Sequence, residues 1–293
     1  MRNLRKWVPL ALVLALVLVG AVMVGGCAKN EPAPTPTDTP ETSDSTVPDI
    51  KNDTLTPGKL TIATGQPAYP PWVEDDKPES GAGFEAAVAY AIADKLGFAK
   101  EDVVWVRTDF EAAIAPGPKD FDFNIQQYSA TEERRQAVDF SSPYYVTSQA
   151  VVTTTDSAFA NAKSLADLAG AKVGAASGSS SLEIAQEKFG NDAVAVFNDV
   201  DTSVQALSVG QIDAIVVDIP TAHYVISAQI DNGKLVGEIA GSEGGDELAV
   251  LLPKDSVLTT AVSAAVDELR ADGTLSSLSE QWLVSNADAV VLQ

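Results

Sequence analysis

The chain has 293 residues, 45% of them hydrophobic and 20% charged, the composition of a globular protein with real cores arranged as one large domain or two modest ones. With 41 acidic residues against 19 basic ones its net charge is −22, which repels nucleic acid and anionic membrane surfaces and excludes both as charge-driven partners. A single cysteine, Cys27, excludes an internal disulfide and a cysteine metal centre. A His-based zinc site or a Ser-His-Asp triad would have to use the single histidine, His223. His223 follows Pro220 by about one helical turn and reads as a surface or packed side chain. No metal and no cofactor are expected.

Residues 1–27 fall into three parts. Arg2, Arg5 and Lys6 form a positive start, residues 7–24 are an apolar stretch, and Val24-Gly25-Gly26-Cys27 closes it with small residues. This end resembles a bacterial lipoprotein signal, in which an aliphatic residue and two small ones precede the cysteine. The resemblance implies cleavage before Cys27, diacylglycerol on its sulfur, and anchorage to the outer face of the cell membrane. An uncleaved membrane anchor is the alternative, since the apolar stretch is almost long enough to span. Either way the rest of the chain lies outside the cytoplasmic membrane. Residues 28–57 hold Pro32, Pro34, Pro36, Pro40, Pro48 and Pro57 among Thr, Ser, Asp and Glu. Such a segment buries too little apolar surface to offset its ordering entropy, so a disordered tether is expected.

Beyond it, strands and helices alternate. Residues 60–63 read as a strand. Gly83-Phe84-Glu85 opens an apolar run of helical period through residue 96, stopped by Gly97. Strands follow at 103–106 and 121–125, with a β-rich stretch at 151–153. A strand at 172–175 leads through a serine-rich turn into a helix at 182–189. The buried-type strand 213–217 precedes a helix around 221–229. A strand at 248–252 and helices near 258–271 and 275–284 close the chain. This alternation predicts an α/β fold with helices on both sheet faces. Ligands of such sheets bind at the carboxyl ends of strands, so the loops after Ala63, Ile125, Ala175 and Val217 are the places to examine.

The clearest segment is Ser129-Ala130-Thr131-Glu132-Glu133-Arg134-Arg135, followed by Val138-Asp139-Phe140-Ser141-Ser142-Pro143-Tyr144-Tyr145. A short helix is expected from Thr131. Its free N–H groups, with the hydroxyls of Ser129 and Thr131, would receive an anion. Arg134 in the first turn opposes the helix dipole, which a bound carboxylate would explain through a bidentate pair. The plainer reading is an arginine in a solvated charged run.

This segment resembles the T/S-x-T-x-E-R … DFS-x-PYY signature of solute-binding protein family 3, the periplasmic amino-acid-binding proteins of ABC importers. Further pieces follow in the family's order. Gln66-Pro67-Ala68-Tyr69-Pro70-Pro71-Trp72 is similar to the first ligand loop, and Gly83-Phe84-Glu85 to the GFD helix start. Ser177-Gly178-Ser179-Ser180-Ser181 is similar to the second-lobe SGTGS loop. Gly210-Gln211-Ile212-Asp213-Ala214 with Val217-Asp218, residues 269–273 and Gln281-Trp282-Leu283 resemble the closing motifs. The likeness runs from Lys59 to the C-terminus.

The resemblance implies a two-lobed periplasmic-binding-protein-like fold of type II with two crossover strands. Lobe 1 would be residues 58–147 plus 247–293 and lobe 2 residues 148–246, with crossovers at 148–154 and 245–251. Arg134 and Ser129 would clamp a ligand α-carboxylate, and Ser179 and Ser180 would close on it from a helix N-terminus. Asp218 would pair with the α-ammonium, and Tyr69 and Phe110 would sandwich the side chain. Asp218 and the serines read equally as helix caps, and the two aromatics as plain core. Gln127 stands where the family has a small residue, so Gln126, Gln127 and Tyr128 crowd the pocket floor. An acidic residue near Gly65 is missing, residues 115–120 replace the family's L-x-x-G-x-x-D stretch, and Ala176 stands where some members read the ligand side chain. These departures leave the substrate open, and a polar or uncharged ligand side chain is expected because Gln126 and Gln127 can hydrogen-bond and no extra cation is evident near the pocket. The implied protein is a monomer and no enzyme, serving an ABC transporter permease. Two alternatives share the fold: a cyclohexadienyl-type dehydratase with Asp218 or Glu85 as its acid, and a ligand sensor acting through a membrane partner.

Overall fold

The apolar runs fold as the alternation predicts. In chain order the elements are β1 (Leu60–Thr64), α1 (Phe84–Lys95), β2 (Val103–Arg107), α2 (Phe110–Ile114), β3 (Phe123–Asn124), β4 (Val138–Thr147), β5 (Gln149–Thr154), β6 (Val173–Ala176), α3 (Ser180–Phe189), β7 (Val194–Phe197), α4 (Val200–Ser208), β8 (Ala214–Asp218), α5 (Ile219–Tyr224), β9 (Gly233–Ile239), β10 (Asp246–Pro253), α6 (Thr259–Ala271), α7 (Thr274–Trp282) and β11 (Val291–Leu292). The computed structural model describes residues 48–242, 245–283 and 290–293, all in one compact unit, Ser45–Gln293. The expectations for the leader, for Cys27 and for the tether up to residue 47 lie outside the described residues. Among those described, no helix is long and apolar enough to cross a membrane.

The strands form two mixed sheets, in the orders β2-β1-β3-β10-β4 and β11-β9-β5-β8-β6-β7. Both are covered on both faces, and the alternation of side chains shows how. In β10, Val250 and Leu252 join the core under α1 and α6, while Ala249 and Leu251 face the opposite core with Phe121, Tyr128 and Phe140. In β8, Ile215 and Val217 pack on one face and Ala214 and Val216 on the other. Period-two side chains buried on both sides are why these strands read as continuous apolar runs.

The chain passes between sheets twice within a few residues. β4 pairs antiparallel with β10 as far as Thr147 opposite Asp246, and Ser148 alone separates it from β5, which pairs with β8 and β9. The return falls between Ile239, where β9 ends, and Asp246, where β10 begins. The crossings are therefore tighter than the expected segments, with β5 wholly in the second sheet and β10 wholly in the first. The C-terminal expectation also needs correction. β11 runs parallel to β9 in the second sheet, so residues 247–293 do not all belong with the first. Leu292 is fully buried there, over Gly237, where a Cβ would come within 2.9 Å of its Cγ.

Two local expectations are overturned. The Pro-rich segment is packed from residue 50 on: Ile50 joins the first core, and Asp122 accepts from the backbone N–H groups of Leu55 and Thr61, each at 2.7 Å. One apolar side chain and one buried carboxylate suffice to dock it. The short helix expected at Thr131 is a single 3₁₀ turn, Arg134–Gln136, so Arg134 opposes no α-helix dipole. Thr131 instead accepts the Arg134 N–H through its hydroxyl at 3.2 Å.

Candidate ligand-binding site

A cavity of about 980 Å³, counted out to its open mouth, lies where loops from both sheets converge. Tyr69 and Trp72 come from the loop after β1, Phe110 opens α2, and Gln126 and Gln127 follow β3. From the second sheet come Ala176 and Ser177 with Ser179, Ser180 and Ser181 after β6, Asn198, Asp199 and Asp201 after β7, and Asp218 and Thr221 after β8. These are carboxyl ends of parallel strands, the positions at which open α/β sheets hold ligands. Of the predicted site residues, Tyr69, Phe110, Gln127, Ser179, Ser180 and Asp218 line the cavity. Ser129, Thr131 and Arg134 stand outside its lining.

Asp218 ends β8 and caps α5. Its Oδ1 accepts from the Thr221 N–H at 2.9 Å and its Oδ2 from the Thr221 hydroxyl at 2.8 Å, so the capping role is real. Burial, opposed by the Thr221 bonds and reinforced by the nearby Asp246 charge, pushes its carboxyl up to about 6. No ion pair with Asp218 forms among the described residues. Trp72 Nε1 donates to Thr221 Oγ1 at 3.0 Å, which links the loop after β1 to the Asp218 cap across the two sheets.

Arg134 is buried beside the cavity. Its Nη1 donates to the Ser129 carbonyl at 2.9 Å and its Nη2 to the Gly178 carbonyl at 2.8 Å, which ties the first-sheet side to the loop after β6. Those bonds engage two of the five guanidinium donors. The guanidinium carbon lies 5.6 Å from the ring centre of Phe110, which stacks on Tyr128 at 4.5 Å. Phe110, which lines the cavity, thus packs against the arginine. Burial lowers the guanidinium from its ordinary value, against the opposing charges of Glu183, Tyr128, Asp246 and Glu133.

The serines divide their roles. Ser179 caps α3, its hydroxyl accepting from Leu182 N–H at 3.1 Å and donating to the Ala176 carbonyl at 2.6 Å. Ser180 Oγ accepts from Ser129 Oγ at 3.1 Å and donates to Asp246 at 3.3 Å. Gln149, first residue of β5, donates to the same Asp246 oxygen and accepts from Ser181 Oγ at 2.6 Å. This network joins the start of α3 to both crossings.

Gln127 adopts φ 51° and is held there by Glu85, whose Oε1 accepts its N–H at 2.7 Å and whose Oε2 accepts its amide. The Tyr144 hydroxyl donates to Oε1 as well. Glu85 is fully buried, and that burial outweighs these bonds to push its carboxyl up to about 7. Its oxygens are occupied by Gln127 and Tyr144, so it positions the pocket floor.

Asn198, Asp199, Asp201, Tyr224 and Gln229 line the cavity without having been predicted. The missing signal was β7. An apolar run of only four residues, 194–197, is a weak strand signal, and the strand-end rule applied to it brings in residues 198–201. Among the described residues, no group of acidic, His or Cys side chains is placed to hold a metal ion.

Comparison with known proteins gives a consistent result. The profile of the bacterial extracellular solute-binding proteins, family 3, matches residues 60–285. The L-cystine-binding protein TcyJ of Escherichia coli strain K12 is 32% identical over 217 residues, covering 73% of this chain and 79% of the relative. An ancestral arginine-binding protein solved with arginine superposes with a TM-score of 0.64 at 34% identity, over 77% of this chain and 98% of that one. The ancestral amino-acid-binding protein AncCDT-1, described as a precursor of cyclohexadienyl dehydratase, gives 0.64 at 28% identity, over 78% and 96%.

Proposed function

The chain belongs to the bacterial extracellular solute-binding proteins, family 3, and on that premise we propose that it captures an amino acid or a similar zwitterion for an ABC importer by closure of two lobes. One observation carries the reading: Asp218 is a half-buried carboxylate at the wall of a two-sided cavity, without a cationic partner among the described residues. An ammonium supplied by the ligand offsets the cost of that burial by pairing with it. The ligand carboxylate then goes to the unengaged donors of Arg134, with Ser129, Thr131, Ser179 and Ser180 around it. Tyr69 and Phe110 flank the side chain and Gln127 forms the floor. Only the closed arrangement offers both charge partners, so ligand shifts the population toward closure.

Several finer points belong to the same proposal. Lobe 1 is built on the first sheet, near 58–147 and from 247 through α7, and lobe 2 on the second, near 148–246 together with β11. The protein is a monomer held at the outer face of the membrane by lipid on Cys27 and presents its closed form to a permease. It is no enzyme. The compared relatives are binding proteins, and of the two acids a dehydratase would recruit, Glu85 is bonded to Gln127 and Tyr144 and Asp218 to Thr221. Isothermal calorimetry of the full chain against the standard amino acids and their deaminated analogues tests the reading. Saturable binding that needs the α-ammonium is expected. Absence of heat and of any melting-temperature rise with every amino acid would sink it.

A further inference from the structure

The cavity carries more negative charge than a zwitterion can use. Asp199, Asp201 and Asp218 line it, and among its lining residues there is no lysine, arginine or histidine. Asp218 is taken by the ligand ammonium in the reading above, and Asp199 is accounted for by folding, since its Oδ1 caps α4 by accepting from Thr202 N–H at 2.7 Å. Asp201 caps nothing. Its Oδ1 accepts from Gln229 Nε2 at 2.7 Å, and the Tyr69 hydroxyl faces it closely enough that, after burial, the Asp201 charge is what raises the phenol most.

Gln229 supplies a second, independent observation. Its Oε1 is buried and has no donor among the described residues, although buried acceptors are nearly always satisfied. It ends a π-helical turn, Val225–Gln229, an irregularity frequent at functional sites. A carboxylate and an orphaned amide oxygen therefore sit together in the cavity, and a cationic N–H group satisfies both at once. The Tyr69 ring beside them offers a face to such a cation. A neutral amide would serve Gln229 but leave Asp201 uncompensated, and an anionic side chain would be repelled.

We propose that the ligand is an amino acid whose side chain ends in a positively charged nitrogen, received by Asp201, Gln229 and Tyr69. This rests on the amino-acid reading above and replaces the polar or uncharged side chain expected from Gln126 and Gln127, whose amides are engaged within the protein, Gln126 Oε1 by the Tyr128 hydroxyl at 3.0 Å and Gln127 Nε2 by Glu85. Calorimetry of the full chain with matched pairs tests it: arginine against citrulline and lysine against norleucine, with glutamine, glutamate and cystine alongside. The better cationic ligand is expected to bind at least about 30-fold tighter than its neutral partner, the scale of one charge-assisted pair in a desolvated site. Asp201→Asn is expected to shrink that ratio to below about fivefold. Tightest binding by glutamine, citrulline, norleucine or glutamate, or by cystine, whose distal half is a net-neutral zwitterion, overturns this proposal and leaves the amino-acid reading standing. A ratio unmoved in Asp201→Asn overturns the role of Asp201, and the wild-type comparison decides the ligand class without the variant. No binding by any of the amino acids removes the underlying reading and this one with it.

Discussion

Asp218 and Arg134 meet opposite fates on burial, and two expectations follow from their surroundings. Arg134→Ala removes a buried cation that also holds the Gly178 carbonyl, and amino-acid affinity should fall by at least about 100-fold, the usual scale for truncating a desolvated charge partner. Calorimetry showing near-normal affinity would remove the arginine from the site. For Asp218, a carboxyl pushed up to about 6 must ionise to receive an ammonium. Affinity should therefore decline as pH falls through 6, approaching about tenfold per pH unit if this group alone is coupled. Asp218→Asn should flatten that dependence and weaken α-amino acids far more than deaminated analogues. Unliganded stability runs the other way. Glu85 titrates at about 7 in the fold against an ordinary 4.5, so the folded state binds the proton more readily than the unfolded one. Stability should rise as pH falls from above 7 toward 4.5, and be lost again as pH rises through 7. Melting curves of Glu85→Gln against wild type over that range check the sign. At this scale Asp218 was legible, because a carboxylate ending an apolar strand before a proline is conspicuous. Asp201 was not, since an acidic residue in the first turn of a helix has an ordinary explanation in the helix dipole.

Among the elements, those whose apolar periodicity is local were legible: β1, β2, β8, α1 and α6 stand close to where the pattern puts them. β4 was invisible as a strand because Ser141, Ser142 and Pro143 interrupt its alternation. It exists through pairing with β10 more than a hundred residues away, with two register shifts that absorb the proline. β7 and α2 are short and likewise defined by their neighbours, and in β9 Lys234, Gly237 and Glu238 break the apolar pattern. The entry to α1 is where one residue controls the site. Gly83 has φ 102°, and the N–H groups of Phe84 and Glu85 donate to the carbonyls of Pro71 and Trp72 at 2.8 and 2.9 Å. A Cβ on Gly83 would lie 2.5 Å from the Trp72 carbonyl oxygen. Gly83→Ala should therefore cost about 1–3 kcal/mol or more, from left-handed strain together with the backbone clash. It should also disturb Glu85 and Trp72 together. Urea unfolding measures the first effect, and amino-acid affinity the second.

For the molecule as a whole, the tandem of sheets was readable from strand and helix alternation, while the ways the chain ties them together were not. The acidic surface gives no electrostatic hold on an anionic bilayer, so residence at the membrane would rest on the lipid proposed for Cys27. Cys27→Ser should move the protein from the membrane fraction to the soluble one, and continued sedimentation with membranes after a salt wash would count against that anchor. The terminal strand has a practical bearing on any engineered form. Val291 and Leu292 shield the outer rim of β9, and stripping them away would leave the Ala240 N–H without its Leu292 carbonyl acceptor and that rim open, an invitation to self-association. Affinity handles fused after Gln293 should leave these residues in register, and a trimmed variant should betray itself by concentration-dependent light scattering.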